Sequence, residues 1–202
     1  MDERIDRVID FWFGPNPVPP QATVRRWFTR DAELDAEIKR KFGDLHDEGS
    51  RGGLEDWRGT ARGELALLVV LDQFSRNLYR DQARAFANDA RALGVAGELL
   101  LSDRARELTY HQRMVALLPY QHAEDRATQA EGVAAYAALL DEAKEHDAGP
   151  DVVQTMTVGL DFAKQHAAII ERFGRFPHRN AVLGRQSTPE EQAFLTQPGS
   201  RF

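Results

Sequence analysis

The chain has 202 residues, 42% hydrophobic and 29% charged, with a formal net charge of −6 and no cysteine. That length sustains one real core. The acidic balance disfavours non-specific nucleic-acid binding, which needs a basic face, and the missing thiols exclude disulfides, thiolate nucleophiles and Cys-ligated zinc.

In chain order, Ile5, Val8, Ile9 and Trp12 fall at helical spacing and open the chain with an amphipathic helix. Gly14-Pro15-Asn16-Pro17 and Pro19-Pro20 end it. Val24, Trp27 and Phe28 mark a short helical turn that adds aromatic bulk. A second helix is expected from Asp31 to Leu45, with Leu34, Ile38, Phe42 and Leu45 on one stripe, followed by a loop over Glu48–Gly53 whose exit Trp57 anchors. Thr60 caps a helix carrying Leu65-Ala66-Leu67-Leu68-Val69-Val70-Leu71, apolar all round as a central buried helix is. Asp81 is expected to cap a helix through Ala85, Phe86, Leu93 and Leu100. Asp103 is expected to cap another through Leu108, Val115 and Leu118, which Pro119 stops. A small-residue helix follows with Ala127, Val133, Ala137 and Leu140. After Gly149-Pro150 a last long helix carries Val152, Met156, Leu160, Ala163 and Ile170, and it ends at Gly174. Thr188-Pro189-Glu190-Glu191 reads as a capping box that opens one more helix.

No segment alternates with period two. The expectation is therefore a single all-α domain over residues 1–202, with roughly eight or nine helices arranged as antiparallel hairpins. Met1-Asp2-Glu3-Arg4 lacks the apolar segment of a secretory leader. Leu65–Leu71 is too short to span a bilayer. A cytoplasmic protein without membrane contact is expected, monomeric or weakly self-associating.

Three polar clusters sit at helix ends: Asp72 to Asn77, His122 to Asp125, and His178-Arg179-Asn180 in the punctuated stretch from Phe173 to Glu191. Asp72 and Arg76 are four apart on one helical face and are expected to pair. His166 lies about two turns before Gly174, close enough to join the clusters. Each cluster carries more polar groups than its own helix end satisfies, and isolated buried polar groups are costly, so the three are expected to face one another. Histidines beside carboxylates form a donor set for a divalent metal, yet the spacing matches no ligand signature. There is no His-Glu-x-x-His, and His122-Ala123-Glu124 lacks the cysteines of a deaminase site. No metal and no cofactor are expected. Ser75 and Ser187 have no nucleophile elbow around them.

Asp72-Gln73-Phe74-Ser75-Arg76-Asn77, Leu118-Pro119 with His122-Ala123-Glu124-Asp125, and the Phe173–Glu191 stretch together resemble one bacterial family. It is the domain-of-unknown-function family nine hundred and twenty-four. Asp10-Phe11-Trp12-Phe13-Gly14 and the helix from Phe28 to Phe42 extend the resemblance over nearly the whole chain. The family often carries serine where this chain has Ala123. The resemblance implies a soluble, tetratricopeptide-like all-helical fold and assigns no activity.

Two functions follow from the clusters. The first is a binding module for a small acidic ligand or a peptide, held by Asp72, Arg76, Asn77, His122, Glu124, His166, His178, Arg179 and Asn180, with Arg76, His178 and Arg179 favouring an acidic group. The second is a small hydrolase-like enzyme in which His122 acts as acid or base, with Glu124 and Asp125 as its orienters or as ligands of an assisting metal.

Overall fold

The computed structural model describes residues 2–200. Among these every regular element is helical, and none is long and apolar enough to cross a membrane.

Helix α1 (Glu3–Phe13) buries Ile5, Val8, Ile9, Trp12 and Phe13 and is capped by Asp2, which accepts from the Arg4 amide. Helix α2 (Gln21–Trp27) follows the prolines, and Trp27 Nε1 donates to the Trp12 carbonyl at 3.0 Å. Asp31 caps α3 (Ala32–Ser50) by accepting from the Glu33 and Leu34 amides. Helix α3 runs past the expected end at Leu45, because Glu48–Ser50 is its last turn and not loop. Gly49 is there for close approach: a Cβ on it would meet Leu54 and Val70 at 3.1 and 3.2 Å.

Thr60 caps α4 (Ala61–Leu68) by accepting from the Gly63 amide. The rod continues through a wide π turn, Val69–Phe74, into α5 (Ser75–Leu78). Leu65 through Leu71 are all buried, as an all-round apolar run requires. Each such aliphatic side chain contributes about 1.5–3 kcal/mol on burial. Helices α1 and α3 pack on this rod, and Phe42 joins Phe11 and Phe74 with ring centroids 4.9 Å from each.

Three expected boundaries are corrected. Asp81 does not cap a helix: it sits at φ 59 in a turn and pairs at the surface with Arg30. Helix α6 (Asp89–Leu100) starts well after it, beyond a 3-10 turn at Ala83–Phe86. Asp103 opens only a 3-10 turn, Asp103–Glu107. The cap of α7 (Tyr110–Ala116) is Thr109, whose box with Gln112 satisfies two backbone N–H groups at once. Pro119 does not stop a helix; it lies in the first turn of α8 (Leu118–His122), where its missing N–H is not needed.

Helices α9 (Arg126–Glu145) and α10 (Pro150–Phe173) form a long antiparallel hairpin, with Arg126 at the start of one reaching the Glu171 carbonyl near the end of the other. Gly174 at φ 68 terminates α10. A 3-10 turn, Pro177–Arg179, and α11 (Pro189–Phe194) close the described chain, with Thr188 and Glu191 forming the expected capping box. With α4, the π turn and α5 taken as one rod, and α7 with α8 as another, the described residues form nine helices. One large apolar core spans α1 to α10, while Ile169, Ile170 and Phe176 form a separate small one under the closing segment.

Candidate functional site

Asp72 is carried by the π turn of the central rod, where an apolar environment surrounds a charged group. Its side chain is 2% exposed. Burial alone pushes its carboxyl pKa up, but Arg76 and His122 more than offset this and hold it well below the usual carboxylate range. The partners are close: Arg76 Nη1 is 2.9 Å from Oδ1, Gln73 Nε2 donates to Oδ2 at 2.6 Å, and His122 Nδ1 is 2.8 Å from Oδ1. The expected Asp72–Arg76 pair is present.

Arg76 also spans to Asp89 at the start of α6, with Nη2 at 3.1 Å from Oδ1. Asp89 in turn accepts from Arg179 Nη1 at 3.1 Å. Charges therefore alternate along Asp72, Arg76, Asp89 and Arg179, and they balance. The Arg179 guanidinium lies 4.5 Å from the ring centroids of both Phe86 and Phe176. Burial, then the neighbouring Arg76, push its pKa down to about 10, which leaves it cationic at neutral pH.

Because Asp72 is ionised, the hydrogen between it and His122 sits on Nδ1, and the ring is in its Nδ1–H tautomer. Burial, then the Arg76 charge, lower the His122 pKa and keep the imidazole neutral. Nothing among the described residues hydrogen-bonds to its Nε2, and the side chain keeps 13% of its exposure. The ring of His166 crosses that of His122 edge to face at 6.3 Å, and its own Nδ1 donates to the Phe162 carbonyl at 2.8 Å. Burial, then His122, push His166 down to about 3. Phe176 lies 5.6 Å from His166 and 5.6 Å from His178 between ring centroids. The three histidine-bearing segments thus meet around Phe176.

The remaining expected residues have other partners. Glu124 does not orient His122: it is paired with both terminal nitrogens of Arg185 at 2.5 and 2.9 Å and accepts from the Phe176 amide at 2.7 Å. Burial raises its pKa, but Arg185 and the amide outweigh this and lower it. Asp125 is exposed and caps α9 by accepting from the Thr128 amide. The orienting carboxylate of His122 is therefore Asp72, not Glu124 or Asp125. Asn77 donates to Asp35 at 2.8 Å, and Asn180 to Ser187 and Glu191 at 3.0 and 3.3 Å; both are tied into structural bonds.

Sequence reasoning missed Asp89, Gln73 and Arg185. Arg185 lies inside the stretch already singled out. Asp89, at the start of a helix outside the three clusters, becomes visible only through its two arginines. A second buried polar knot sits beside the first: Ser75 Oγ donates to the Leu71 carbonyl at 2.6 Å and accepts from His46 Nε2 at 2.8 Å and Asn88 at 3.3 Å. With Asp47 3.8 Å from the same imidazole it has the composition of a Ser-His-Asp triad. Yet Ser75 and His46 are fully buried and the serine proton is spent on a carbonyl, so the knot is packing. His111 is buried as well, next to Trp27, whereas His146 is exposed.

Among the described residues no three His, Asp or Glu side chains gather with metal-ligating geometry. A surface groove of about 350 Å³ between α9 and α10 is lined by Gln129, Ala130, Val133, Lys164, Ala167 and Glu171.

A solved structure of a protein of unknown function, ATU0120 from Agrobacterium tumefaciens, shares the fold, with a TM-score of 0.77 and 33% identity over 96% of this chain and 97% of that one. None of the curated proteins matches. The family model described as "Bacterial protein of unknown function (DUF924)" matches residues 8–199, and the chain belongs to that family.

Proposed function

We propose that the protein is a binding module, built as a tetratricopeptide-like array of hairpins, whose ligand meets the Asp72–His122 end of the bundle. The observation that carries this reading is the neutral His122 imidazole, fixed through Nδ1 by a buried carboxylate with Nε2 left as an acceptor. A side chain held in one tautomer by a buried partner is pre-organised for a single hydrogen-bonding role. The charges of Arg76 and Arg179 are already matched by Asp72 and Asp89. That argues for a neutral or ammonium-type donor on the ligand, on a small molecule or peptide, in place of the acidic group that the sequence suggests.

The Asp72–His122 bond also favours a second reading. A carboxylate on Nδ1 and an acceptor at Nε2 are what a general base requires. In that reading Asp72 orients the base and His122 takes a proton from water or substrate, while Glu124 and Asp125 have no part in it.

A fragment screen by ligand-observed NMR, followed by ring-selective histidine spectra, tests the binding reading. Donor-bearing fragments should shift the His122 ring resonances and lose affinity for His122→Ala by about tenfold or more, since a lost directed hydrogen bond in a desolvated site is worth about that. Fragments that bind His122→Ala as well as the parent, or that leave the ring unmoved, would sink it. Turnover of any bound fragment, abolished in both Asp72→Asn and His122→Ala, would select the second reading.

A further inference from the structure

Glu124 belongs to the bundle, but every partner of its carboxylate belongs to the closing segment. We propose that residues 174–185 are a latched strap over the His122 face, that the Phe176 amide and the Arg185 guanidinium form a seat for one carboxylate, and that Glu124 is the resident carboxylate that keeps the strap shut. The latch goes beyond the binding reading and stands whatever meets His122.

Four observations support it. The seat has the geometry of a planar carboxylate: two guanidinium nitrogens reach the two oxygens at 2.5 and 2.9 Å, and a backbone N–H completes it at 2.7 Å. Left-handed glycines bracket the segment, Gly174 at φ 68 and Gly184 at φ 66, and such positions absorb backbone rotation at hinges. The apolar anchorage of the strap is its own cluster of Ile169, Ile170 and Phe176, with Phe173 and Phe194 against it, so opening leaves the main core untouched. Finally, the seam is imperfectly satisfied. Arg179 Nε, Asn180 Oδ1 and Arg185 Nε are buried with no hydrogen-bond partner among the described residues, although Arg179 is 6% exposed. Buried polar atoms without a protein partner cost stability, which narrows the gap between the closed and open states.

The strap also covers the candidate site. Phe176 is fully buried against His166, and Arg179 lies over Phe86 while reaching Asp89. Breaking the Glu124 seat and the Asp89 pair removes two charged ties to the bundle, while Arg175 and Asn180 keep the segment bound to Glu191 of α11; displacement of Phe176 then exposes His166 beside His122. The Asp89 tie is a single hydrogen-bonded pair, so Glu124 is the principal latch.

Hydrogen exchange on the full chain tests this. In Glu124→Ala the amides of Arg179, Asn180, Leu183 and Arg185, each bonded within the segment, should exchange about ten-fold faster or more, while those of α4 and α10 keep parental rates. Sodium formate should restore protection by refilling the seat, and sodium chloride at the same ionic strength should not. Unchanged strap exchange, or acceleration shared equally by α4, overturns the latch, and formate acting no better than chloride overturns the carboxylate seat. Should Glu124→Ala fail to fold, native-state exchange of the parent in low denaturant decides. The proposal requires strap amides to open in a sub-global event before α4, and strap amides that exchange only with global unfolding would refute it.

Discussion

Asp72 Oδ1 lies 2.8 Å from His122 Nδ1 and 2.9 Å from Arg76 Nη1, so one carboxylate oxygen joins a neighbour on its own helix to a residue fifty positions away. The charged network is centred on this atom. Removing Arg76 leaves Asp72 buried with only His122 and Gln73 to support its charge. Arg76→Ala should therefore destabilise the protein by about 3 kcal/mol, the lower end of the range for a broken buried pair. Denaturant unfolding checks this, and an unshifted midpoint would show that solvent reaches the carboxylate.

Acid should weaken the fold through its buried histidines. Burial depresses the folded-state pKa of His166 to about 3, below its unfolded value of 6.5. Between those values the unfolded chain binds the proton and the folded one does not. The stabilisation is thus fully present above the unfolded pKa and is lost as pH falls through it. Between pH 7 and pH 5 His166 alone should account for a loss of about 2 kcal/mol. His46, His111 and His122 are shifted in the same direction by burial and add to it. Unfolding midpoints at the two pH values give the slope, and His166→Phe should flatten it. An equal slope in that variant would mean that His166 does not stay neutral in the fold.

Two helical glycines should respond with opposite signs. A Cβ on Gly63 would meet the Trp57 carbonyl oxygen at 2.0 Å, a backbone atom that cannot step aside. Gly63→Ala should cost about 1–3 kcal/mol or more through overpacking. Gly94, within α6, has nothing within 4 Å of such a Cβ, so Gly94→Ala should stabilise by about 0.5–1 kcal/mol through helix propensity. Thermal unfolding of the two single variants compares them directly, and the same sign for both would contradict the packing described for Gly63.

The sequence by itself determined the helices, because their causes are local. The apolar run Leu65–Leu71 allows nothing but a buried rod, Thr60 and Asp31 cap where they stand, and Gly174 stops α10 by adopting a conformation that L-residues resist. It also determined that Asp72 pairs with Arg76, since four residues on a helix bring side chains together. The misplaced caps at Asp81 and Asp103 mark the limit of that locality: an aspartate suits a turn as well as a cap, and Thr109 prevails over Asp103 through a reciprocal bond with Gln112. Only the tertiary structure decided who orients His122. Two carboxylates lie beside it in sequence, yet Glu124 is drawn off by Arg185 from the closing segment and Asp125 by its own helix end, while Asp72 arrives from the buried rod. A buried charge takes whichever partner the packing delivers, and packing is set by the apolar faces of helices far apart in the chain, which no local spacing of polar residues records.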